Sequence, residues 1–135
     1  MWRALNTDEV AEPNAFAVTA AVAAFEQGGD WLDALRQIIK RNRDHVAQYL
    51  KKELPMLCLV PSKATYLLWI DCSKVTADTK KLSDYLRLET GLYLSDGAQY
   101  GACGKTFVRL NIACPMETLQ DGLERLKKGI REYRE

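Results

Sequence analysis

Hydrophobic positions in this chain recur either at helical spacing or in short extended blocks. The clearest helical stripe comes last. Leu119, Leu123, Leu126, Ile130 and Tyr133 step by three and four residues after Pro115, which suits a first helical position. Leu32, Leu35, Ile39, Val46 and Leu50 do the same between Asp30, a capping residue, and about Leu54, where Pro55 stops the helix. At roughly 25 residues, or about 37 Å, this helix is long enough to link two domains. The basic cluster Lys40-Arg41-Asn42-Arg43 on it reads as a solvated face. Leu82, Tyr85 and Leu86 place a third helix over Asp78–Thr90, ended by Gly91.

One segment follows neither pattern. AFAVTAAVAAFEQ, after Pro13-Asn14, is apolar on nearly every side, and reads as a helix capped by Asn14 and stopped by Gly28-Gly29. Such a helix needs burial, so it is expected to press against a body outside this chain. Extended blocks at Met56–Val60 and Ala64–Asp71, joined by Pro61-Ser62-Lys63, predict an antiparallel pair. Leu92–Leu94 and Phe107–Ile112 add two further strands. The order α-α-β-β-α-β-β-α predicts an α/β chain of the α+β kind. Its small sheet is mixed but mainly antiparallel, with helices on one face, preceded by a buried helix and a long linking helix.

Composition narrows the function classes. With 135 residues, 47% of them apolar, one globular domain is the expectation. No apolar run approaches the roughly 20 residues that span a bilayer, and the Met1–Glu9 opening has no long apolar centre. A cytoplasmic protein without membrane contact is expected. Nineteen basic against 18 acidic residues give +1, which excludes a bulk basic footprint for nucleic acid. Cys58 and Cys72 lie in or beside apolar runs, and with Cys103 and Cys114 are expected as reduced thiols. There is no Cys-x-x-Cys, and His45 is the one histidine and is read as a surface residue, so no metal site is expected.

Candidate chemistry centres on Phe107–Ile112. Strand alternation puts Val108, Leu110 and Ile112 on one face and Phe107, Arg109 and Asn111 on the other. A strand arginine is costly to bury unless an anion meets it. Arg109 is therefore either held by an internal ion pair or an exposed edge, or it is a fork that grips a carboxylate through two parallel hydrogen bonds. The glycine-bearing loop Ser95–Lys105 leads into a strand, so it is a rim or tight turn and not a phosphate cradle. Asp71 with Asp96 is a weak candidate for an acid–base pair.

Beyond these patterns, the strings Glu12-Pro-Asn-Ala-Phe-Ala-Val-Thr-Ala20, Ala24-Phe25-Glu26 and Asp30-Trp31-Leu32-Asp33 resemble the MalY/PatB family. These are pyridoxal-phosphate (PLP) enzymes of the class I/II aminotransferase superfamily, cystathionine β-lyases or aminotransferases. The likeness continues through Pro61–Asp71 and Ser95-Asp96-Gly97. It is most specific at Phe107-Val-Arg-Leu-Asn-Ile-Ala-Cys-Pro115, with Leu123-Glu124-Arg125 after it. It implies the C-terminal portion of a longer fold type I enzyme, here without the N-terminal large domain. Residues 1–29 would be the end of that large domain and residues 30–135 the small domain with its connecting helix. The family's Schiff-base lysine motif is matched by none of the lysines from Lys40 to Lys128, so no catalytic residue is assigned and the chain alone is expected to be inactive. By resemblance, Arg109 holds the substrate α-carboxylate, and Asn14 reaches toward the cofactor phosphate of a neighbouring subunit in a homodimer. PLP is expected in the full-length enzyme and not stably on this chain alone. The competing expectation is a free-standing, non-catalytic α/β interaction or binding module that reuses the fold.

Overall fold

The computed structural model describes residues 13–134. Glu12, and the Met1–Glu9 opening on which the absence of a signal segment was argued, lie outside them. The elements are helices α1 (Ala17–Gln27) and α2 (Gly29–Glu53), strands β1 (Cys58–Leu59) and β2 (Leu67–Asp71), and helix α3 (Thr79–Thr90). Strands β3 (Ser95–Asp96) and β4 (Phe107–Asn111) and helix α4 (Met116–Glu132) complete the order. The chain forms two compact units, Met1–Gln37 and Ile38–Glu135, and the boundary falls inside α2.

In the first unit, α1 starts later than the sequence predicts. Asn14 Oδ1 accepts the Phe16 N–H at 3.0 Å, a local turn that uses the side chain before the helix begins. The N-cap is therefore Phe16, with no side-chain cap bond. No residue of α1 is buried, and Phe25 is 93% exposed. The expected burial is thus not provided by this chain. A helix that is apolar on every side has no single stripe to lay against a core of its own.

The second unit holds one sheet in the order β1-β2-β4-β3, every neighbouring pair antiparallel. Leu68, Ile70, Val108 and Leu110 face inward and join Val46 and Leu50 of α2, Leu82 and Leu86 of α3, and the α4 stripe in one core. Leu119, Leu123, Leu126 and Ile130 are all buried, as their spacing predicts. Helix α3 also ends where expected. Asp78 accepts the Lys80 N–H, and Gly91 terminates the helix at φ 70°, a left-handed conformation that favours glycine.

Three predictions need correction. The strand expected at Leu92–Leu94 lies at Ser95–Asp96, because Leu94 is buried without ladder bonds and pairing with β4 begins at Ser95↔Arg109. The block Met56–Val60 keeps only Cys58–Leu59 as strand, and Cys58 is exposed whereas Cys72 is buried. The basic cluster on α2 is not wholly solvated. Asn42 is fully buried, donating both Nδ2 protons to Ile112 O and Cys114 O at 2.9 Å each. Among the described residues, no helix is long and apolar enough to cross a membrane.

Candidate functional site

The candidate chemistry lies on the outer face of the sheet. Trp69 on β2 and Ser95 on β3 stand directly opposite Arg109, one on each side of β4. Arg109 is half-buried. Its Nη2 donates to Ser95 Oγ at 3.3 Å, and its Cζ lies 4.7 Å from the centre of the Tyr100 ring. Trp69 meets the Tyr100 ring edge-on at 5.5 Å and Phe107 at 6.0 Å. Among the described residues no carboxylate lies within ion-pair distance of Arg109. An internal salt bridge therefore does not account for it.

The loop that presents Tyr100 is tightly built. It makes two short 3-10 turns, Gly97–Tyr100 and Ala102–Gly104. Gly97 and Gly104 pack backbone against backbone, so a Cβ on either would run into the other's carbonyl oxygen. Asp96 Oδ1 accepts the Ala98 N–H at 3.0 Å, closing the first turn. Buried Thr79, at the start of α3, places Oγ1 2.8 Å from Phe107 O, 2.9 Å from Lys105 O and 3.2 Å from Asp96 Oδ1. This loop leads into β4 and takes the tight-turn form, one of the two expected of it.

The other candidates sort plainly. Asp96 is occupied by its turn, and Asp71 Oδ1 accepts the Ser73 N–H at 2.8 Å; each serves its own local turn, and the two form no acid–base pair. His45 is half-buried, not fully exposed, and its ring lies 6.4 Å from that of Tyr49. Asn14 is exposed, in the first unit, while Arg109 belongs to the second. The alternation of Phe107–Ile112 singled out Arg109 alone. Ser95, Tyr100 and Trp69 were missed as its neighbours, because only the strand order brings them to it.

PLP fits these residues in part only. A lysine that bonds covalently to a carbonyl cofactor must be neutral, which desolvation favours. No lysine of the chain is buried, and Lys127, the most covered, is paired with Glu53 at 2.8 Å. Among the described residues, Arg109 offers a guanidinium that suits an anionic carboxylate, and every lysine is at least partly exposed. Among the described residues no cluster of His, Cys, Asp or Glu could hold a metal ion.

Residues 4–126 match the sequence profile of the family Aminotransferase class I and II. Cystathionine beta-lyase PatB of Bacillus subtilis is 39% identical over 117 residues, covering 87% of this chain and 30% of the relative. Protein MalY of Escherichia coli is 35% identical over 127 residues, covering 94% of this chain and 33% of the relative. The crystal structure of a PLP-bound C–S lyase from Staphylococcus hominis superposes with a TM-score of 0.83 at 28% identity. It covers 98% of this chain and 36% of that one. The chain thus spans about a third of the length of the curated relatives it matches.

Proposed function

Because this chain belongs to the class I and II aminotransferase family, we propose that it forms the C-terminal small-domain portion of a PLP-dependent C–S β-lyase or aminotransferase acting on cystathionine-like amino acids. Residues 30–135 would be the small domain, with α2 as its connecting helix, and residues 1–29 the end of the large domain. The exposed apolar side chains of α1 support docking of that helix on the large domain.

The observation that carries this reading is Arg109, a half-buried guanidinium without a carboxylate partner among the described residues. It would grip the substrate α-carboxylate bidentately. That grip limits rotation of the amino acid and holds the bond to be broken in a reactive orientation, which lowers the barrier. PLP supplies an electron sink for the carbanion that forms at the amino acid Cα. It would be anchored by residues outside these 135. Asn14 is assigned to the cofactor phosphate of the neighbouring subunit in a homodimer. Its Oδ1 accepts from Phe16 N–H, and among the described residues its Nδ2 protons meet no acceptor.

The test is Arg109→Ala in an enzyme that joins this segment to the lysine-bearing portion. Truncating one partner of a buried charged pair costs about 2–5 kcal/mol. The expected fall in kcat/KM for amino-acid substrates is therefore about 30-fold to several thousand-fold. An unchanged kcat/KM would sink the assignment of Arg109.

A further inference from the structure

Arginine brings to a binding site a flexible stem and a rigid, planar head. A free stem must be ordered on binding, and that cost comes out of affinity. Here two contacts order it in advance. The Arg109 Cζ sits over the Tyr100 ring at 4.7 Å from its centre, and Ser95 Oγ takes one Nη2 proton. The two Nη2 protons belong to different edges of the guanidinium, one shared with Nε and one with Nη1. A single acceptor such as Ser95 therefore leaves the other two-pronged edge whole.

The ring is itself held. Trp69 meets it edge-on at an interplanar angle of 79°, and Trp69 in turn leans on Phe107 at 76°. From the loop side, the Gly97–Gly104 backbone contact and the Asp96 turn fix the residues that carry Tyr100. Tyr100 nonetheless remains 47% exposed. A half-exposed aromatic ring this heavily buttressed is placed to orient a neighbour.

We propose that Tyr100 is a positioning residue for the substrate carboxylate, acting through Arg109: the ring fixes the plane of the guanidinium, Ser95 fixes its rotation, and one two-pronged edge is left facing the ligand. This rests on the reading of Arg109 as the carboxylate site. The π face is what does the work, so phenylalanine replaces Tyr100 and leucine does not.

The experiment uses the isotopically labelled 135-residue chain and reads the Arg109 Nε–Hε resonance by NMR, assigned through its loss in Arg109→Lys. In the free protein the ring current of Tyr100 displaces this resonance. The displacement persists in Tyr100→Phe and disappears in Tyr100→Leu. Titration with acetate then moves the resonance in the unaltered chain and in Tyr100→Phe with similar dissociation constants. In Tyr100→Leu the constant rises about 5- to 30-fold, the factor expected for one or two kcal/mol of lost ordering. Equal acetate affinity in all three chains, or an unmoved resonance in free Tyr100→Leu, overturns the role of Tyr100 and leaves Arg109 standing. No response to acetate in the unaltered chain overturns the Arg109 reading and this proposal with it. An unchanged backbone spectrum around Trp69 and Phe107 shows that each variant keeps its fold.

Discussion

The two faces of the central strand pair have opposite designs. On the inner face, Leu68, Ile70, Val108 and Leu110 are closed by three helices into a core without charge. On the outer face, Trp69, Phe107 and Arg109 are half-buried, and among the described residues the polar contact of the arginine side chain is a serine oxygen. Neighbouring residues of one strand thus answer to different demands, volume on one side and chemistry on the other. The contrast teaches that pattern alone assigns the inner face, whereas the outer face acquires meaning only from what the fold places beside it.

The sharpest way to break this contrast is to exchange the expected costs. Ile70→Ala removes a fully buried side chain, and should cost about 2–5 kcal/mol in a urea unfolding curve. Arg109→Met, on the outer face, should shift the same curve by no more than about 1 kcal/mol. Comparable losses at both positions would mean that the outer face is structural.

A second test uses pH. Burial pushes the Cys72 thiol, at the end of β2, from 9.0 up to about 12, and the Asp71 charge adds to this. A raised pKa keeps the proton on the folded thiol, so the unfolded chain releases it first. The contribution is intact below pH 9 and is lost as pH climbs toward 12. At full extent it is on the order of 3–4 kcal/mol. Cys72→Ala should flatten the alkaline limb of stability against pH, and an unchanged slope would show that the inner face tolerates the thiolate.

Apart from Arg109→Met, the smallest effect is expected at Asn42, which ties α2 to the corner after β4. Asn42→Ala strands one buried and one partly buried carbonyl, and should cost about 1–3 kcal/mol of stability, read as a lower urea midpoint with an unchanged m value. No shift would show that water replaces the amide.

Much of this architecture was legible in the sequence. Asp78 and Gly91 mark the ends of α3, and the Leu119–Ile130 stripe states which side of α4 is buried, because capping and periodicity are local. Where contacts are remote, the sequence was silent. Asn42 sits among lysine and arginine, and nothing nearby reveals that its amide meets carbonyls 70 and 72 positions away. Leu92–Leu94 reads as strand because burial and pairing share one alphabet, yet Leu94 is buried without joining the ladder. At the site, alternation identified Arg109 but gave no sign of Ser95 and Tyr100, since those neighbours follow from the order β2-β4-β3.

The Asn42 clasp also has a mechanical side. Its two bonds fasten the middle of α2 to the segment just after the strand that carries Arg109, at Ile112 and Cys114. One planar amide holds both carbonyls at once, so the two are fixed relative to each other. Within the second unit, the position of this stretch of α2 is therefore registered against the residues that leave the Arg109 strand.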